Sequence, residues 1–133
     1  MEEVIEELRE NAEQVPVPLD LPDMDEIVEA EEEILIGLPY EFKQFQLNVS
    51  DLVLGSLEPV TIADTSSHTY LPEVTAQAWN DGLPREYIVL CQTGADYYCV
   101  DEQGTVKFWR DGEIDEQDWE SVWHWARDVW MLS

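Results

Sequence analysis

Apolar positions along this chain trace helices first and strands later. Val4, Ile5, Leu8 and Ala12 form one stripe while Glu2, Glu3, Glu6, Glu7, Glu10 and Glu13 cover the remaining surface, so the spacing predicts an amphipathic helix over 2–13. Val15-Pro16-Val17-Pro18 then denies helix propagation and predicts a short, stiff connection. Helix restarts at Leu21-Pro22-Asp23, with a proline at its first position and acids in its first turn. Met24, Ile27 and Val28 are expected to face inward, Glu29, Glu31, Glu32 and Glu33 outward, and Gly37 to close the helix in a left-handed turn. Leu38-Pro39 opens a third helix with Tyr40, Phe42, Phe45 and Leu47 on one face. Residues 52–54 and 59–62 read as short β-prone stretches and 63–69 as loop. Leu71-Pro72-Glu73 begins a further helix, stopped at Asn80-Asp81-Gly82.

The strand signal is clearest at Glu86–Gln92. It is apolar on both faces and therefore predicts a central strand. Turn residues at 93–96 and 102–104 separate it from strands at 97–101 and 105–109, giving an antiparallel meander. The last element is expected to be a helix over 115–131, with Trp119, Val122, Trp123, Ala126, Val129 and Trp130 on its core face and Trp125 on the flank. The order predicts one α+β domain over 1–133, its antiparallel sheet centred on 86–109 and its helices packed on one side.

Composition changes the picture more than any motif does. Thirty-one Asp and Glu face six Lys and Arg, a formal charge of −25 at pH 7 on 133 residues. Phosphate backbones and anionic lipid would be repelled, which argues against direct nucleic-acid or membrane binding. A basic protein would be attracted, faster at low salt. The acidity does not signal disorder, because 44% of residues are hydrophobic and six are Trp. MEEVIEELRE lacks the basic and apolar regions of a signal peptide, and no apolar run approaches the roughly 20 residues of a membrane span. A cytoplasmic location is therefore expected, with a monomer favoured.

Candidate chemistry is sparse. His68 lies beside Ser66 and Ser67, yet no nucleophile elbow or spaced acid accompanies it, so no catalytic residue is assigned. His124 is expected on the solvated face of the last helix. Cys91 and Cys99, on neighbouring strands, could face each other in register, but two free apolar thiols fit a reducing compartment better. Asp96, Asp101 and Glu102 cluster at the meander's turns without a cation-loop pattern, so no metal or cofactor is expected. Asp111 and Glu113 begin an acidic run expected to be loop, and Trp79 and Trp125 are the tryptophans expected nearest the surface. These seven, Asp96, Asp101, Glu102, Asp111, Glu113, Trp79 and Trp125, are the candidate partner-binding residues.

Residues 21–47 and 71–109 resemble the SUKH superfamily of bacterial toxin-immunity proteins and fungal regulators of cell-wall synthesis. The likeness rests on the acidic helix Glu29–Glu33 followed by Leu38-Pro39-Tyr40-Glu41-Phe42, on Gly94-Ala95-Asp96-Tyr97-Tyr98, and on the run from Asp101 through Gly104 and Val106 to Trp109. The aromatic segment Trp119–Trp130 after an acidic stretch is similar too. The resemblance implies a binding module rather than an enzyme, neutralising a basic partner such as a nuclease toxin domain. The other readings are a housekeeping interaction domain in cell-wall or assembly regulation, and a hydrolase using Asp96, Asp101, Glu102 or His68. Charge density alone makes one expectation testable: screening should relieve self-repulsion, so the melting temperature at pH 7 rises between low and moderate salt. A fall would mean that the acids sit in compensating networks.

Overall fold

The computed structural model describes residues 1–16 and 19–133, so Val17 and Pro18 of the expected stiff connection lie outside the described residues. Four helices, α1 (Glu2–Asn11), α2 (Met24–Ile34), α3 (Tyr40–Val49) and α4 (Leu71–Asp81), precede four strands. The strands β1 (Ile88–Thr93), β2 (Asp96–Val100), β3 (Val106–Arg110) and β4 (Glu113–Trp119) pair antiparallel in chain order. A short helix α5 (Val122–Trp125) runs on into a π-helical turn over Ala126–Trp130. The class is α+β, as the pattern predicts.

The bounds of α2 follow from local chemistry. Asp23 accepts from the Glu26 backbone at 2.8 Å while the Glu26 carboxylate accepts from the Asp23 backbone at 3.0 Å, a complete capping box. The buried row of α2 is Ile27, Ala30 and Ile34; Met24 and Val28, expected inside, are exposed. The helix ends at Leu35, which takes the left-handed conformation (φ 61°) expected of Gly37. The chain thus reverses two residues early, and Glu31 reaches past that end to accept from the Leu38 backbone at 2.7 Å. On α3, Phe42, Phe45, Gln46 and Val49 are buried while Tyr40 points out. Residues 52–54 form no strand, and 59–62 contribute only isolated bridges, Pro59 to Cys91 and Thr61 to Tyr70.

The sheet corrects three expectations. First, β1 is an edge strand, not the centre. Its residues Ile88–Cys91 are nevertheless all buried, because the outer edge is closed by other parts of the chain. The Val60 N–H donates to the Leu90 carbonyl at 2.8 Å, and the Val89 N–H donates to the Thr75 hydroxyl of α4 at 3.2 Å. A strand covered in this way reads like a central one. Second, a bulge between Val89 and Cys91 places Cys91 opposite Tyr98 and Cys99 opposite Val89. Strand alternation then sends the two cysteines to opposite faces, and both are free. Third, helices meet both faces. The Tyr97 hydroxyl donates to Asp81 at the end of α4 (3.2 Å), whereas its neighbour Tyr98 packs against Trp125 of α5, ring centres 5.4 Å apart.

The expected helix over 115–131 begins as strand, its first five residues belonging to β4. Asp111 (φ 54°) and Gly112 (φ 81°) form a two-residue loop with both residues left-handed, and Arg110 pairs with Glu113 across it. That is the Asp-Gly hairpin geometry, whose twist matches the flanking strands. Lys107–Asp118 (3.5 Å) and Arg110–Asp115 (3.6 Å) then bridge β3 to β4. Helix waits for Ser121, whose hydroxyl accepts from the backbone of Trp123 and His124. The π turn, closed by Met131 N–H to the Ala126 carbonyl at 2.8 Å, also explains why Trp125 is buried rather than on the flank. Residues five apart lie about 140° apart on an α-helix, but the wider turn stacks Trp125 on Trp130, interplanar angle 21°. Phe45 sits at the middle of the resulting cluster, 5.6 Å from the rings of both Trp123 and Trp130.

Closure of the β1 edge can be tested directly. Thr75 is fully buried, so Thr75→Val keeps its shape but strands the Val89 N–H, at an expected cost of about 1–3 kcal/mol. Urea titration should show a lower midpoint with an unchanged slope; an unchanged midpoint would mean that Thr75 does not close the edge.

Candidate functional site

Histidine chemistry leads to a pair without a nucleophile. His68 Nε2 lies 2.6 Å from the Glu58 carboxylate, both side chains largely in solvent. The Ser67 hydroxyl is engaged with Thr69 at 2.8 Å, and Thr69 with Thr61 at 2.8 Å, a chain that braces the 58–69 loop. Ser66 is held through its backbone by Asp64. The loop borders a groove of about 550 Å³, with Leu52, Leu54, Leu57 and Trp130 among its apolar lining. His124 is exposed on α5 as expected, its Nδ1 2.8 Å from the Ser121 hydroxyl. Burial pushes the Cys91 and Cys99 thiols up to about 12, so neither is a thiolate nucleophile near neutrality. Among the described residues, no group of His, Cys, Asp or Glu side chains is arranged to hold a metal ion.

The seven candidate partner-binding residues do not form one site. Asp96 opens β2, and Asp111 and Glu113 flank the β3–β4 hairpin, so these three share one end of the sheet. Asp101 and Glu102 sit at the other end, about 16 Å away along five-residue strands. Asp101 serves its own turn, accepting from the backbone of Gln103 at 2.9 Å and Thr105 at 3.0 Å. Trp79 is half-buried, its indole N–H donating to the Tyr87 carbonyl at 2.8 Å and its ring covered by the Arg85 guanidinium at 5.1 Å. Trp125 is fully buried and cannot touch a partner.

What the molecule does present is an unneutralised acidic surface. Every cation is already engaged within the chain. Arg9 pairs with Asp51, Lys43 with Glu31, Lys107 with Asp118, Arg110 with Asp115 and Arg127 with Glu7, while Arg85 lies on Trp79. The acids far outnumber these partners, so the excess charge faces outward. Sequence reasoning missed a second feature: large apolar side chains are exposed at Leu21, Met24, Val28 and Leu35. Their heptad-like spacing of three, four and seven was the available signal, masked by assigning Met24 and Val28 to the core.

With this geometry in place, comparison with known proteins places the chain. A family model described as SMI1-KNR4 cell-wall, SUKH_5, matches residues 1–131, and the chain belongs to this family. It is also similar to a protein of known crystal structure from Pseudomonas syringae pv. tomato. That protein is 62% identical over 100% of both chains, with a TM-score of 0.96. Comparison with curated proteins gives no match.

The buried donors set an alkaline limit on stability. Burial, aided by the hydrogen bond to Glu33, pushes Tyr70 from its ordinary 10 to about 12, and the two thiols rise from 9 to about 12. The folded protein holds these protons where the unfolded chain releases them. Their contribution is therefore complete below about pH 9 and lost as pH climbs towards 12. Thermal melts from pH 8 to 12 should fall across that window, with both thiols slow to react with a disulfide reagent at pH 8 until unfolding. Rapid labelling of the native protein would contradict their burial.

Proposed function

We propose that this chain is a non-catalytic, acidic protein-binding module that acts in the cytoplasm on a basic protein. In the leading form of this reading it is an immunity-type protein covering the phosphate-binding surface of a nuclease toxin domain. The observation that carries it is the engagement of all six cations inside the chain, which leaves the charge of −25 directed outward. A nuclease surface built for phosphate is cationic and complements such a field. The acidic ends at Asp96, Asp111 and Glu113, and at Asp101 and Glu102, belong to the attracting surface rather than to one pocket. Like charge opposes self-association, which favours a monomer.

A second reading is an interaction domain in cell-wall or assembly regulation, and the family description supports it. Against a hydrolase stands the engagement of His68 with Glu58 while the Ser67 hydroxyl bonds Thr69.

The test uses the protein together with the basic nuclease domain of any toxin encoded beside its gene. The expected result is a 1:1 complex that blocks nuclease activity, with an association rate falling at least about tenfold between 50 and 300 mM salt. Salt-independent binding, or a complex that leaves the nuclease fully active, would reject the immunity reading.

A further inference from the structure

Exposed large apolar side chains are not scattered over this surface. Apart from Met1 and Leu132 near the chain ends, those of the described residues all fall within 19–40. At 100° per residue, Met24 and Val28 lie about 40° apart on the flank of α2, and Leu35 projects from the helix's C-terminal cap beyond them. The buried row Ile27, Ala30 and Ile34 lies to one side of them. The exposed acids Asp25, Glu29 and Glu32 lie to the other. An apolar ridge bordered by carboxylates has the anatomy of an interface core beside a charged rim.

Leu35 adds an independent observation. It is 88% exposed and holds a left-handed backbone conformation (φ 61°) that disfavours any residue with a Cβ. Gly37, two residues on, would adopt that conformation freely, yet the turn is made at Leu35. Neither core packing nor backbone preference accounts for a leucine at this point. Strained residues held in solvent mark functional surface more often than structural surface.

We propose that the α2 flank, Met24, Val28 and Leu35, is the docking ridge for a basic protein, inserting into an apolar groove whose rim carries Lys and Arg. The inference rests on the protein-binding reading above and names its contact face and the partner's chemistry. Charge complementarity selects this occupant: Asp25, Glu29 and Glu32 beside the ridge require cations opposite. A second copy of this chain would bring acid against acid, which charge repulsion opposes.

The probe is a synthetic amphipathic helix with Leu at two positions per heptad and Lys at the rest, compared with oligolysine of equal length. Titrated at 50 mM salt, the amphipathic peptide should shift backbone amide resonances clustered at 24–35. Leu35→Gly should weaken its binding at least about fivefold while raising the melting temperature by about 2–4 °C, because glycine relieves the left-handed turn. Val28→Ser should weaken it similarly without unfolding the protein, and oligolysine should bind independently of both changes. Shifts mapping to the 49–69 groove or to β4, or unchanged affinity in Leu35→Gly, would overturn the ridge and leave the acidic binding module standing. Dimerisation abolished by Leu35→Gly would overturn it in favour of a second copy. Failure of both peptides to bind at low salt would remove the parent reading as well.

Discussion

The packing of Phe45 against Trp123 and Trp130 is the contact on which the rest of this molecule depends. It joins α3 to the far end of the chain, and through Trp125 on Tyr98 it reaches the sheet. A domain with a charge of −25 gains little from surface electrostatics and must offset self-repulsion by apolar burial. Buried aromatics supply large area per residue, with a further 0.5–1.5 kcal/mol or so for each well-placed ring pair. The π turn is what lets Trp125 and Trp130 enter the same cluster. A regular α-helix would have turned one of them towards solvent.

Scarce cations are spent on joining distant parts of the chain. Arg9 reaches from α1 to the Asn48 carbonyl in the last turn of α3 (2.6 Å) and to Asp51 just beyond it (3.3 Å), and Arg127 ties the π turn to Glu7 at 3.0 Å. Exposed pairs of this kind contribute about 0–1 kcal/mol each, so they orient elements more than they stabilise them. Their larger consequence is electrostatic. With every Lys and Arg already engaged within the chain, the remaining carboxylates have no counter-charge of their own.

The interior is chemically quiet. Its titratable groups are thiols and phenols held neutral by burial, with Tyr70 and Tyr97 donating to Glu33 and Asp81. Each hydrogen bond gives a buried phenol hydroxyl an acceptor on an exposed carboxylate, so the donor is not left unpaired. The buried polar side chains Gln46 and Thr75 are used structurally, Gln46 donating to the Val60 carbonyl at 3.0 Å and Thr75 accepting from the Val89 N–H at 3.2 Å.

The sequence by itself determined the α+β class, helices close to those found over 2–49 and 71–81, the first three strands and the core role of Trp119, Trp123 and Trp130. Those features follow from periodicity and turn residues, which act over a few neighbours. It also held the Asp111-Gly112 hairpin signal, overridden by a tryptophan stripe that suited a helix equally well. Of the candidate surface, the acidity was legible and the burial of Trp125 was not, while the spacing of Met24, Val28 and Leu35 was present but suited a core stripe equally well. Tertiary structure alone decided which flank of α2 meets the core, which strand lies at the edge, and that a bulge at Val89–Cys91 parts the cysteines. Each depends on what lies across the fold: Thr75 and Val60 close one edge, and a π turn rotates one indole inward. Side-chain spacing carries no record of such partners, because they are brought together only when the chain closes on itself.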